Sequence, residues 1–86
     1  MKEKVKTYIN FAIKSGEYAM GTEKILKLKR ADLILTSPML SKNAIDKIKN
    51  KDIGKIIVVD RVLPNGVKAM AILNSNLAKA IVDELD

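Results

Sequence analysis

The feature that most limits the fold is the alternation of short apolar runs with segments of helical periodicity. Residues 33–35 (LIL) and 56–59 (IIVV) are unbroken apolar runs, which is typical of strands buried on both faces. Elsewhere, apolar residues recur every three or four positions, as in Leu77, Ile81 and Leu85, which indicates amphipathic helices. The alternation predicts a sheet with helices packed on both sides, an α/β fold.

Helix caps and turn residues set the predicted boundaries. Gly16 suits the left-handed position after a helix. Thr22 and Ser41 are suited to cap the helices that follow them, and the run Asn74-Ser75-Asn76 offers caps for the last helix. In chain order we predict a helix over 3–14, strand 18–20, helix 23–30, strand 32–36, helix 42–50, strand 55–60, strand 67–73 and helix 76–85. This order by itself predicts a three-layer α/β/α sandwich with a largely parallel sheet.

Composition excludes several chemistries. The chain has 86 residues, the size of one domain, and it contains no cysteine and no histidine. Disulfides, zinc sites of Cys and His, and His-dependent catalytic dyads are therefore excluded. Composition leaves a carboxylate-only magnesium or calcium site open, but the ten acidic residues are scattered and form no Asp-x-Asp loop. We predict no catalytic residue, no metal site and no cofactor. The charged N-terminus lacks an apolar signal core, and no apolar run approaches the ~20 residues that span a bilayer, so we expect a cytoplasmic protein with no membrane partner.

The net charge of +6 is unevenly distributed along the chain. Residues 24–30 contain Lys and Arg but no acid, whereas residues 83–86 form an acidic end. A positive face favours polyanions through steering and counterion release, although lysine-rich surfaces also serve solubility alone. The few aromatic residues, Tyr8, Phe11 and Tyr18, argue against a stacking platform for single strands and favour recognition of RNA by its shape.

The basic segment begins at a predicted helix start, which is where phosphate binds readily. The first amides of a helix lack partners and carry a partial positive charge. Gly21 has no side chain, so a nucleic-acid backbone can approach closely. Lys24 and Lys27 are three residues apart and share one face. Each feature alone is commonly a turn, a cap or a solvated lysine, but together they predict a docking point for RNA.

Residues 13–35, IKSGEYAMGTEKILKLKRADLIL, resemble the kink-turn-binding ribosomal protein superfamily. That group includes the archaeal large-subunit protein seven-Ae, the eukaryotic-type protein thirty-e and small bacterial relatives. The shared pattern is a small residue followed by Gly, a Gly that opens a helix, a Lys six residues later, a basic turn, an Ala and an apolar strand. In this chain the corresponding residues are, in order, Ser15-Gly16, Gly21, Lys27, Lys29-Arg30, Ala31 and 33–35. Residues 69–81, AMAILNSNLAKAI, resemble the strand and terminal helix of the bacterial members.

The resemblance implies both a fold and a function. The sheet would have four strands and be mixed, with its last strand antiparallel and inserted between the first two. The link from Arg61 to Gly66 would then have to cross the 32–36 strand. Six residues reach about 20 Å when extended, which allows the crossing. The implied function is binding of structured RNA, with ribosomal RNA as one candidate.

Two departures from the family pattern change the expected contacts. Members with full kink-turn specificity carry G-T-N-E at the helix start, whereas this chain has G-T-E-K. Glu23 still offers an acceptor to a guanine edge, but Lys24 can only donate. The family's short helix between the last two strands is also absent, which leaves Val62, Leu63 and Pro64 in place of its apolar loop.

These considerations define the candidate contacts and partner. The primary RNA contacts are Gly21, Thr22, Glu23, Lys24 and Lys27; the secondary ones, if their loop borders the helix start, are Arg61, Leu63 and Lys68. Ser37 and Pro38 are expected at the same rim, where an ordinary turn would also explain them. The expected protein is a non-enzymatic monomer that binds structured RNA and has the ribosome as a candidate partner.

Two other functions stay open. A protein-interaction or scaffolding domain would use Met39, Leu40 and residues 83–86. An enzyme would hold a substrate phosphate at Gly21, but the sequence has no Walker motif and no carboxylates paired by pattern. The salt dependence of binding distinguishes an RNA partner from a protein partner. RNA affinity falls with salt concentration with a log–log slope of roughly −0.7 to −0.9 per phosphate contact, whereas a hydrophobic protein partner would show little slope.

Overall fold

The protein is described by a computed structural model that covers residues 2–85, with Asp86 of the acidic end lying outside them. All eight predicted elements are present. In chain order they are α1 (Lys2–Ser15), β1 (Tyr18–Met20), α2 (Thr22–Leu26), β2 (Leu33–Thr36), α3 (Lys42–Lys51), β3 (Ile56–Val58), β4 (Ala69–Ile72) and α4 (Ser75–Leu85).

The strands form one mixed sheet in the order β1-β4-β2-β3. β2 and β3 are parallel, while β4 lies between β1 and β2 and is antiparallel to both. The largely parallel sheet predicted from element order is therefore wrong. A parallel β4 would need a crossover connection, usually a helix, that carries the chain back to the end of the sheet where β3 begins, and residues 59–68 contain no helix. The mixed sheet with its last strand inserted is confirmed.

Helices cover both faces of this sheet, which confirms the three-layer α/β/α sandwich. On one face, α1 and α4 pack on apolar residues of β2 and β4; the buried cluster there includes Val5, Ile9, Leu33, Leu35, Met70, Ile72 and Ile81. On the other face, α2 and α3 pack on the alternate strand positions; the cluster there includes Ala19, Ile25, Ile34, Ile48, Ala69 and Ala71. Successive side chains of a strand point to opposite faces of the sheet, whereas the apolar residues of a helix repeat about every 3.6 positions on one side. The apolar residues of the sequence therefore divide into these two clusters.

The two apolar runs of the sequence occupy different positions in the sheet. All four residues of β2 are buried, as expected of a central strand. β3 spans only Ile56–Val58 rather than 55–60, and Val58 is 60% exposed. The predicted length is wrong because β3 has a single neighbour, β2. After Val59 donates to the Thr36 carbonyl at 2.8 Å, the chain leaves the sheet.

α2 is shorter than predicted. It ends at Leu26, with Lys27 as its C-cap, so the prediction of a helix reaching Arg30 is wrong. Lys29 and Arg30 lie outside the helix rather than in its last turn. The amides of Lys27 and Leu28 bond to carbonyls three residues back, which tightens and closes the turn. A helix reaching Arg30 would leave two residues to bring the chain to the start of β2.

The other predicted helix ends are confirmed. Ser41 accepts a hydrogen bond from the Ala44 amide at 3.2 Å, and Asn74 accepts one from the Leu77 amide at 3.0 Å. Gly16 follows α1 with a φ of 74°. The longest helix, α1, has 14 residues, and within residues 2–85 no helix combines the length and apolarity that crossing a bilayer requires.

Candidate nucleic-acid interface

Most of the predicted contact residues lie at one edge of the sheet. β1, β2 and β3 run in the same direction, since β1 and β2 are both antiparallel to β4 and β2 is parallel to β3. Gly21, Ser37 and Arg61 follow the ends of these strands, and Lys68 precedes the start of β4. We call this the C-terminal edge: residues 21–24, 37–39, 59–63 and 68.

A hydrogen bond holds Gly21 beside Lys68. The Gly21 amide donates to the Ala69 carbonyl at 2.9 Å, which extends the β1–β4 ladder by one step. On the other side of β4, the Ser37 amide donates to the Lys68 carbonyl at 2.8 Å. The Lys68 side chain is exposed. Lys68 is therefore fixed between the ends of β1 and β2, so the condition set for the secondary contacts, a position that borders the helix start, is met for Lys68.

The start of α2 differs from the prediction in its cap. Gly21, not Thr22, is the N-cap, and it makes no side-chain cap bond because it has no side chain. Thr22 is the first helical residue. The first bond into the helix runs from the Ile25 amide to the Gly21 carbonyl at 3.1 Å. The amides of Thr22, Glu23 and Lys24 precede it, and a helix leaves such amides without an intrahelical partner.

Three lysines of the predicted contact set have no carboxylate partner among the residues that the structure describes. Lys24, Lys27 and Lys68 are exposed, and no acid of residues 2–85 lies within 4.0 Å of their ammonium groups. Glu23 is also exposed. Free ammonium groups of this kind suit phosphate, because binding displaces only water and counterions.

Lys27 lies apart from the other primary contacts. It follows the last residue of α2, a helix of five residues and therefore about 7.5 Å long. From there the chain leads to β2, whose first residue is at the opposite edge of the sheet. Lys24 and Lys68 thus lie near Gly21, while Lys27 lies one helical length away on the outer layer.

The loop after β3 lies at the end of the C-terminal edge that is farthest from Gly21. Arg61 is 85% exposed and forms a loose ion pair with Asp60, at 3.9 Å between Nε and Oδ2. Three strand spacings, or roughly 14 Å, separate β3, which precedes this loop, from β1. Leu63 is half-buried and packs against the α1–α4 core cluster, so only part of its side chain is available to a ligand.

A shallow cleft of about 190 Å³ lies between Ser37 and this loop. Its wall includes Arg61, Leu63 and Pro64, so the structure brings the loop and the end of β2 together. The Ser37 hydroxyl accepts a hydrogen bond from the Met39 amide at 3.1 Å, which is the ordinary turn role considered for it. Met39, which a protein-interaction surface would use, is 76% exposed beside Ser37.

Sequence reasoning missed the charge of α3. This helix carries Lys42, Lys47, Lys49 and Lys51, all exposed, and one acid, Asp46. It packs beside α2 on the same face of the sheet. The sequence does show an excess of lysine over acidic residues in 42–51. Only the fold shows that these lysines lie beside residues 24–30.

No family model matches the sequence, and no curated protein matches it. Solved structures do match. One is a protein of unknown function from Bacillus halodurans C, which superposes with a TM-score of 0.73 and shares 13% sequence identity. The match covers 93% of this chain and 94% of that chain. At this identity the likeness shows a shared fold.

Proposed function

We propose that the protein binds structured RNA and docks a bent, kink-turn-like backbone against the C-terminal edge at Gly21. The observation that supports this most is the position of Lys68. The Gly21–Ala69 hydrogen bond brings the lysine that precedes β4 beside the free amides and the lysine of α2. Cations from two distant parts of the sequence thus flank a glycine that leaves room for a backbone.

The proposal includes membership of the kink-turn-binding ribosomal protein superfamily. Its support is the strand order, in which β4 is inserted between β1 and β2 as the resemblance implied. As parts of the same proposal, the protein is a cytoplasmic monomer without catalytic activity, and ribosomal RNA is one candidate target. Arg61 and the exposed part of Leu63 would contact the RNA beyond the bend, at the other end of the edge.

A direct test compares three RNAs at two salt concentrations. We expect a kink-turn RNA to bind more tightly than a straight duplex, and both to bind more tightly than a single strand, since the lysines are arranged for a folded backbone. Affinity should fall with a log–log slope of about −0.7 to −0.9 for each phosphate contacted. Equal affinity for all three RNAs would contradict recognition of a bend, and absence of binding would contradict the function.

A protein partner is the second candidate, and exposed Met39 favours it. A methionine that is 76% exposed beside the cleft at Ser37 offers an adaptable apolar contact. Binding centred on Met39 would change little with salt and would be weakened by Met39→Ser. RNA binding through the lysines would show the opposite dependence on both.

A further inference from the structure

The charges of the molecule are divided between its two helical layers. Residues 21–54, which form α2, β2, α3 and their connections, hold eight Lys or Arg and four acids. Residues 1–20 and 73–86, which include α1 and α4, hold five of each. The excess of positive charge therefore lies on the α2–α3 side of the sheet, while the α1–α4 side is balanced.

Half of the cations on the basic side belong to α3. Lys47 and Lys51 are four residues apart and Lys42 and Lys49 are seven apart, so each pair occupies one flank of the helix. All four side chains are exposed. Within residues 2–85 no carboxylate lies within 4.0 Å of any of these ammonium groups, and Asp46 does not neutralise them by contact.

The α3 lysines adjoin the proposed RNA-binding edge through α2. Ile25 of α2 and Ile48 of α3 are buried in the same cluster, so the two helices lie side by side. Both helices cross from the C-terminal edge of the sheet back towards its opposite edge, since each connects two parallel strands. The packing of α2 against α3 thus places Lys24 and the four α3 lysines on the same outer layer of the molecule.

We infer that α3 binds the phosphate backbone of a duplex arm that leaves the bend docked at Gly21. This inference rests on the proposed function and adds a second contact surface to it. A double helix presents phosphates in rows at regular spacing, and shape-reading proteins contact it through such rows over about 16 base pairs. Lysine suits this contact because it is a flexible point charge and does not require planar geometry.

The test uses one kink-turn RNA with two arm lengths. One version has a minimal arm, and the other has an arm of about 16 base pairs, the length that a double-stranded-RNA domain covers. The first variant replaces Lys42, Lys47, Lys49 and Lys51 with Gln. The matched control replaces four lysines of the α1–α4 layer with Gln, which removes the same amount of charge from the side where the charges balance. These are Lys4, Lys6, Lys14 and Lys79. Affinity is measured over a series of salt concentrations.

For the wild-type protein we expect the long arm to strengthen binding and to steepen the salt slope. The α3 variant should lose this gain, with a slope shallower by at least about 1.4, corresponding to two contacts, while still binding the minimal-arm RNA. The control variant should keep the gain. Equal behaviour of the two variants on the long-arm RNA would overturn the role of α3 and leave the edge intact. Failure of the wild-type protein to bind either RNA would overturn both proposals.

Discussion

The amide of Gly21 and the carbonyl of Ala69 meet at 2.9 Å, and this contact joins the end of β1 to the beginning of β4. Gly21 has φ 95° and ψ 150°, a conformation that essentially only glycine adopts. This glycine conformation lets the chain leave the sheet and begin α2 at once. The same residue thereby completes the sheet ladder, opens the helix and brings Lys68 beside it.

Replacing Gly21 with Ala should lower the free energy of unfolding by about 1–3 kcal/mol, the usual cost of holding an L-residue in such a region. Nothing lies within 4 Å of the position that a Cβ would take, so the loss would come from backbone strain and not from a clash. Urea unfolding measures it. Gly21→Asn should be no better than Gly21→Ala, because ψ 150° lies outside the left-handed helical region that Asn tolerates. Recovery with Asn would contradict this reason.

Replacing Thr36 with Val should raise the free energy of unfolding by about 1 kcal/mol. Thr36 is 1% exposed, and its hydroxyl has no hydrogen-bond partner within the described part of the chain. Val keeps the branched shape of Thr and removes a buried polar group that costs about 1–3 kcal/mol when left unpaired. Thermal or urea unfolding reports the change. Thr36→Ala serves as the comparison and should destabilise, since it also removes a packed methyl group. A destabilising Thr36→Val would indicate that the hydroxyl has a partner after all.

Asn74 links the beginning of α4 to the segment between α1 and β1, and its removal should cost about 1–2 kcal/mol. Its side-chain oxygen accepts from the Leu77 amide at 3.0 Å, and its nitrogen donates to both carboxylate oxygens of Glu17, at 3.1 and 3.2 Å. Asn74→Ala removes the helix cap and both bonds to Glu17. Asn74→Ser keeps a capping oxygen and should recover part of the loss. Equal unfolding midpoints for Asn74→Ala and the wild-type protein would show that the cap contributes nothing.

The elements whose structure depends mainly on their local sequence were predicted correctly. The unbroken apolar run of β2 belongs to a buried central strand, and Ser41 caps α3 as its position suggested. α2 was predicted to end four residues too late because its apolar spacing continues to Leu28, and only the distance to β2 requires an earlier end. The run at 56–59 was predicted to form a longer strand because β-branched residues look alike at the centre and at the edge of a sheet.

The candidate site could be predicted only in part. Gly21 and Lys24 are neighbours in sequence, so a helix start with a lysine was predictable. The position of Lys68 depends on the insertion of β4 between β1 and β2, which pairs residues 50–54 positions apart with β1 and 33–39 positions apart with β2. Local propensity contains no information about such a pairing; the resemblance supplied it. The α3 lysines become part of the same surface through packing alone.

Changing Glu23 to Asn together with Lys24 to Glu restores the family's G-T-N-E sequence at the helix start. Asn offers a donor and an acceptor, and Glu accepts, whereas Lys24 can only donate. We expect the preference for kink-turn over straight duplex RNA to rise by about tenfold, the value of one good base-edge contact. Competition binding with the two RNAs measures it. Lys24→Gln alone is the control for loss of charge and should not raise the preference. An unchanged ratio in the double variant would mean that α2 does not read base edges.

The salt dependence of kink-turn RNA binding tests the account most directly. The variant Lys24→Gln with Lys68→Gln removes two charges from the C-terminal edge, and Lys14→Gln with Lys79→Gln removes two from the α1–α4 layer. With the edge variant we predict weaker binding and a log–log slope shallower by about 1.4 to 1.8, while the control keeps the wild-type slope. The same slope in both variants and the wild-type protein would contradict a docking site at Gly21.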